Sequence, residues 1–70
     1  MKWIDSPESS NILRFGYDED NRILGVEFKN GTLYHYYDIP ETIFNAMKNA
    51  PSKGQFLAYS IKGVYRYARV

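Results

Sequence analysis

The sequence contains no cysteine and a single histidine among its 70 residues. Without thiols the chain forms neither a disulfide nor a thiolate metal site, although small secreted domains commonly depend on such cross-links. One imidazole with scattered carboxylates also lacks the spacing of a metal site. We therefore expect no metal and no cofactor, and a fold that is stabilised by packing alone.

Long apolar runs are also missing. No segment approaches the roughly 20 apolar residues that a membrane helix requires, and no continuous apolar stretch follows Lys2 as it would in a secretory signal. The sequence therefore predicts a cytoplasmic domain without membrane association. A chain of this length has room for one hydrophobic core.

Acidic residues are absent after Glu41. The chain up to Glu41 carries four basic and eight acidic residues, a net charge of −4, whereas the remainder carries five basic residues and a net charge of +5. Such asymmetry indicates a polyanionic partner, for example RNA or single-stranded nucleic acid. The alternative is that the basic half neutralises the acidic half within the fold.

Alternation of apolar residues predicts three strands, at residues 12–17, 23–28 and 32–37. The polar cluster Asp18–Asn21 is typical of a turn, and Asn30-Gly31 is typical of a tight hairpin. Residues 1–10 are expected to be a partly ordered N-terminal segment, and residues 11–70 a single domain.

The turn at Asn30-Gly31 allows two registers. A two-residue loop would turn His35 and the other odd-numbered side chains of the third strand towards the apolar face of the second strand. A three-residue loop, with Gly31 in the left-handed region, would turn Tyr34 and Tyr36 there instead. We favour the three-residue loop because it extends the apolar face and points His35 outward, and it leaves Tyr37 exposed.

Two short helices are predicted after the strands. Pro40 suits a first helical turn, so the first helix should run from Glu41 to about Asn49. Ser52 is a typical N-terminal cap for a second helix from Lys53 to about Ile61. Residues 64–70 are predicted to form an extended tail or short edge strand. The fold class is therefore α+β, a three-stranded antiparallel meander (β-β-β) covered on one face by two helices.

Several short motifs occur in a characteristic order along the chain. They are Asn11-Ile12, Gly16-Tyr17-Asp18, Leu24-x-Val26-x-Phe28-x-Asn30-Gly31, Tyr34-x-Tyr36, Ile39-Pro40 and Ser52-x-Gly54. In this order and spacing they resemble the KTSC family. That family is a short domain found at the carboxy end of some lysyl-tRNA synthetases and as a stand-alone bacterial or phage protein. The resemblance covers roughly residues 9–70 and implies the fold. It also suggests RNA binding, and it implies no catalytic residues.

Catalysis finds little support in the residues present. His35 could act as a general base only beside a carboxylate or hydroxyl partner, and an active site also needs a pocket and a nucleophile. A surface histidine is the simpler interpretation. We therefore predict a domain that is not an enzyme.

Nucleic-acid binding is the leading hypothesis, because lysine and arginine contact phosphates and exposed aromatic rings stack on bases. The tail combines both kinds of group. The alternative is that Tyr65 and Tyr67 pack on the sheet to complete the core. The predicted phosphate contacts are Lys53, Lys62, Arg66 and Arg69, and the predicted stacking residues are Tyr37, Tyr65 and Tyr67.

Two further hypotheses concern other surfaces. Ser52, Lys53 and Gly54 would form an anion site, or part of a pocket for a nucleotide-like small ligand, at the start of the second helix. Their structural alternative is that Ser52 caps the helix, Lys53 is solvated and Gly54 packs tightly. A protein-interaction module is the rival function, in which Trp3, exposed tyrosines and a free strand edge contact another chain or a second copy.

Overall fold

An antiparallel sheet of five strands is the framework of the computed structural model, which describes all residues from Met1 to Val70. The strands lie side by side in chain order. They are β1 (Lys2–Asp5), β2 (Ile12–Asp18), β3 (Ile23–Phe28), β4 (Leu33–Tyr36) and β5 (Tyr67–Arg69).

The three predicted strands are present, but the sheet has five, so the predicted number was too low. β1 forms within the N-terminal segment, where four residues are too few for a clear alternation, and it pairs with β2 so that Trp3 lies opposite Gly16. β5 forms in the tail, which confirms the edge-strand alternative, and it pairs antiparallel with β4. The two helices lie between β4 and β5 in sequence.

The register of the β3–β4 hairpin is the one with the three-residue loop. Tyr34 lies opposite Val26 and Tyr36 opposite Leu24, as predicted. The Phe28 N–H donates to the Thr32 carbonyl at 2.9 Å, which closes the loop. Gly31 takes a φ of 93°, a conformation that residues with a Cβ rarely adopt.

Helix α1 (Glu41–Asn49) has the predicted bounds. The predicted second helix is divided, because helix α2 (Lys53–Phe56) continues as a π-helical segment (Leu57–Ile61). There the Lys62 N–H donates to the Leu57 carbonyl at 2.8 Å, five residues back. Leu57 and Ile61 both remain buried. Neither helix has the length and apolar content of a membrane span.

The core lies between one face of the sheet and the helices. The Tyr17 hydroxyl is buried there and donates to the Ile39 carbonyl at 2.5 Å. Phe44 of α1 stacks on Tyr17 with ring centroids 4.8 Å apart. The buried apolar residues are Ile12, Phe15, Tyr17, Leu24, Val26, Tyr36, Ile39, Met47, Leu57 and Ile61.

The opposite face of the sheet is free of helices. Strand pairing places one residue from each strand in a row across this face, namely Trp3, Gly16, Gly25, His35 and Ala68. The Trp3 and Met1 side chains lie over the two glycines. The sheet therefore presents two chemically different faces.

Candidate functional site

A groove of about 840 Å³ opens on the helix-bearing side of the sheet, between the β3–β4 hairpin loop and the chain that leaves the π-helical segment. This volume is typical of small-ligand sites, which span roughly 300–1,000 Å³. We call it the tyrosine groove. Its lining residues are Ser10, Asn11, Phe28, Lys29, Asn30, Thr32, Tyr34, Tyr36, Lys62, Gly63 and Tyr67.

Four aromatic rings line the tyrosine groove. Tyr34 and Tyr67 stack with ring centroids 5.8 Å apart and an interplanar angle of 28°. Phe28 meets the Tyr34 ring edge-on at 5.7 Å, and Tyr36 lies 5.8 Å from Tyr67. Alternation along β4 and its pairing with β5 bring these side chains to one face. Tyr67 is 58% exposed, so the outer ring of the stack is accessible.

Tyr36 is the buried member of this set, with 1% of its surface exposed. Burial raises the pKa of its phenol, and electrostatic repulsion from the neighbouring Tyr34 and Tyr67 side chains raises it further. The phenol therefore stays neutral near pH 7. Tyr36 therefore packs against Tyr34 and Tyr67 from the core side, whereas Tyr67 has a ring face that is accessible to a ligand.

Two lysines occupy the end of the tyrosine groove near the hairpin loop. The Lys62 amine lies 5.8 Å from the centroid of the Phe28 ring. The Lys29 amine donates to the Ser9 carbonyl. No carboxylate is among the residues that line the groove. The local charge is therefore positive, although the domain carries a net charge of only +1.

Three of the predicted nucleic-acid-binding residues lie on this side of the sheet. Lys62 and Tyr67 line the tyrosine groove. Arg69 pairs with Tyr34 across β4 and β5, which places it on the same face beside the groove. Lys29 was not predicted as a site residue because it lies in the acidic half of the chain, and Tyr34 was predicted to belong to the apolar face of the sheet.

The other predicted contacts lie elsewhere. Arg66 faces the opposite side of the sheet, where its guanidinium lies 5.2 Å from the Tyr37 ring centroid and 3.6 Å from an Asp38 carboxylate oxygen. Tyr37 is half-buried rather than exposed, because Arg66 covers its ring. Tyr65 is half-buried and packs against the core, in agreement with the alternative interpretation for that residue. The basic residues after Glu41 therefore do not share one surface.

Ser52, Lys53 and Gly54 line a separate, smaller pocket of about 410 Å³. The Ser52 hydroxyl accepts a hydrogen bond from the Gln55 N–H at 3.3 Å, as a helix cap does. The Lys53 amine donates to the Ala50 carbonyl at 2.7 Å, so it is engaged rather than only solvated. A Cβ at Gly54 would lie 2.8 Å from the Asn11 side-chain oxygen, so this glycine permits close packing.

The helix-free face contains the remaining candidates. His35 is half-buried there, between Gly25 and Ala68 in the cross-strand row. Trp3 is also half-buried, and the Arg14 guanidinium lies 4.7 Å from its ring centroid. The sheet order leaves one edge of β1 and one edge of β5 unpaired.

Comparison with known proteins gives consistent matches over nearly the whole chain. The family model of the KTSC domain matches residues 8–70. A lysine–tRNA ligase of Trichormus variabilis is 38% identical over 64 residues, which cover 91% of this chain and 11% of the ligase. An uncharacterized protein of Stutzerimonas stutzeri is 38% identical over 64 residues, with 90% of each chain covered.

A solved structure is also similar. The crystal structure of a KTSC domain protein from Yersinia pestis superimposes with a TM-score of 0.90 at 36% identity, covering 99% of this chain and 96% of that one. The present chain therefore matches whole small proteins, whereas it spans only 11% of the length of the ligase.

Proposed function

The chain belongs to the KTSC domain family, and we propose that it binds RNA or single-stranded nucleic acid through the tyrosine groove. One observation carries this proposal, namely the accessible Tyr67 ring stacked on Tyr34 beside Lys29 and Lys62. Stacking of one base on an aromatic side chain is worth about 1–3 kcal/mol, and lysines near phosphates add salt-dependent affinity. The role proposed is binding rather than catalysis.

Two further observations support a nucleic-acid partner. The lining of the tyrosine groove holds two lysines and no carboxylate, so it would not repel a phosphate backbone. Domains similar to this chain also form part of lysine–tRNA ligases, whose name specifies an RNA. Neither observation specifies a sequence, because aromatic stacking accepts every base.

The test is a titration of labelled single-stranded RNA, followed by fluorescence anisotropy at low and at physiological salt. We expect tighter binding at low salt and a loss of about 1–3 kcal/mol in Tyr67→Ala. Tyr59→Ala is the matched control, because Tyr59 is 80% exposed and lies outside the groove. Lys62→Ala should weaken binding, whereas Lys48→Ala on α1 should not. No binding at low salt, or equal losses in the two tyrosine variants, would refute the proposal.

Protein interaction is the second candidate, favoured by the half-buried Trp3 ring on the helix-free face. Self-association measured by sedimentation would distinguish this function from nucleic-acid binding. It should be insensitive to salt and should be lost in Trp3→Ala. The anion site at Ser52 to Gly54 has weaker support, because these residues already cap and pack the start of α2. A cytoplasmic location stays a prediction.

A further inference from the structure

Two loops close the tyrosine groove at its lysine-bearing end. The Lys29 N–H donates to the Asn11 carbonyl at 2.8 Å, and the Lys29 amine donates to the Ser9 carbonyl. The loop between β1 and β2 is thereby joined to the β3–β4 hairpin loop. A nucleic-acid strand lying along the tyrosine rings would meet these joined loops, so it would have to end there or turn away from the sheet.

The closed end presents mainly hydrogen-bond donors. The Asn30 side-chain oxygen accepts from the N–H and the hydroxyl of Thr32, at 3.0 and 2.7 Å. The Asn11 side-chain oxygen accepts from the Ser9 hydroxyl at 3.1 Å. The Asn30 amide therefore has its NH2 group as its remaining polar group, and NH2 only donates. The Asn11 amide instead packs against Gly54 at the start of α2. The Lys29 amine uses one of its three donors on Ser9.

A ligand for this end needs negative charge and several acceptor atoms. A terminal phosphomonoester carries about −1.5 to −2 charges at pH 7 and three strong acceptor oxygens. An internal phosphodiester carries a single charge and has only two unesterified oxygens. Two lysines and the Asn30 NH2 group, with no carboxylate among the lining residues, fit the monoester better.

We propose that the closed end of the tyrosine groove binds the terminal phosphate of a nucleic-acid strand, with the adjoining base stacked on Tyr67. This inference rests on the proposed function and specifies which part of a strand the site takes. The groove volume of about 840 Å³ suits a nucleotide-sized group rather than a long track. The remainder of the nucleic-acid strand leaves the groove across β5, at the edge of the sheet.

The test compares one labelled oligonucleotide in four forms, with a 5′-phosphate, with a 3′-phosphate, with hydroxyl ends, and circularised. We expect one phosphorylated form to bind about tenfold more tightly than the hydroxyl-ended and circular forms, as a charge-assisted contact implies. A nucleoside monophosphate should compete better than the nucleoside and better than inorganic phosphate, because it adds stacking to the charge.

Asn30→Asp probes the donors directly. It keeps the oxygen that accepts from Thr32 and replaces the NH2 group with a carboxylate oxygen, so the preference for the phosphorylated end should disappear. Asn45→Asp makes the same charge change on α1, outside the groove, and should retain the preference. Lys62→Gln, at an exposed position, is the second variant and should reduce the preference without affecting the hairpin loop.

Equal affinity for linear and circular strands would overturn end recognition and leave the proposed function standing. The same holds if the nucleoside competes as well as its monophosphate, or if Asn30→Asp keeps the full preference while folded by circular dichroism. Absence of binding by all four forms would instead overturn the proposed function together with this inference.

Discussion

Gly16 is the position where one added methyl group should perturb the fold most directly. A Cβ built there would lie 2.6 Å from the Lys2 carbonyl oxygen, which belongs to the backbone of β1. The Trp3 ring is also close, at 3.1 Å. Because the Lys2 carbonyl cannot rotate out of the way independently, Gly16→Ala must displace β1 from β2.

Gly25 supplies the matched comparison in the neighbouring strand. Its added Cβ would lie 2.7 Å from the Met1 sulfur and 2.9 Å from the far edge of the Trp3 ring. Both atoms are at the ends of side chains on the helix-free face, so they can move at lower cost. The two substitutions therefore add the same methyl group in different surroundings. At Gly16 the methyl group meets backbone, and at Gly25 it meets the ends of side chains that can move.

The expected magnitudes follow from this difference. Overpacking typically costs about 1–3 kcal/mol, and replacing a strand glycine with alanine recovers about 0.5–1 kcal/mol of backbone entropy. Gly16→Ala should therefore reduce the free energy of unfolding by about 1–2 kcal/mol. In thermal unfolding this corresponds to a melting temperature that is lower by roughly 4–16 °C for a domain of this size. Gly25→Ala should stay within about 1 kcal/mol of the parent protein.

Urea unfolding measures both effects, with the emission of Trp3, the only tryptophan, and far-ultraviolet circular dichroism as the two probes. In Gly16→Ala the Trp3 emission should change at lower urea than the circular dichroism, because β1 separates first. If Gly16→Ala proved as stable as Gly25→Ala, with coincident transitions, the close approach of β1 to Gly16 would be disproved.

Three further predictions concern single groups. Tyr17→Phe removes the buried donor to the Ile39 carbonyl and should reduce the free energy of unfolding in urea by about 1–3 kcal/mol; an unchanged midpoint would contradict the bond. Ser52→Ala removes the cap of α2 and should cost about 1 kcal/mol in the same assay, whereas Ser10→Ala, outside the helices, should cost less. Burial raises the pKa of Tyr36 above its ordinary value of 10.0, so the folded state keeps a proton that the unfolded state loses. Stability should therefore fall as the pH rises above about 10 and through the raised pKa, and urea midpoints of Tyr36→Phe should fall less over that interval.

The hairpin and α1 were predictable because their signals are local. Asn30-Gly31, the alternation of β3 and the proline before Glu41 each determine structure within a few residues. β1 was missed because a strand of four residues has almost no pattern of its own and forms through its pairing with β2. The π-helical segment was missed for a similar reason, since helical spacing does not distinguish a bond to the fourth preceding residue from one to the fifth.

The candidate site was predictable only in part. The excess of basic residues after Glu41 correctly indicated Lys62, which lines the groove. Arg66 belongs to the same basic half, but it lies on the other face of the sheet beside Asp38. Lys29 joins the tyrosine groove from the acidic half, because the hairpin loop lies next to the loop that precedes β2. The distribution of charge along a sequence does not show whether basic side chains meet on one surface, because that depends on which face of the sheet each residue occupies.

The loop at Asn30-Gly31 decides which face carries the binding groups. Its three residues set the register that turns Tyr34 and Tyr36 towards the groove, and a slip by one residue would exchange them for His35 and its neighbours. The same loop supplies Lys29 and the Asn30 amide to the closed end of the groove. More than half of the residues that line the groove therefore belong to one hairpin. Lys62 and Tyr67 come from outside the hairpin, and Tyr67 joins the groove through the pairing of β5 with β4 over three residues. Docking of this short edge strand thus completes the aromatic stack, so loss of β5 pairing would remove the accessible stacking ring while leaving the hairpin intact.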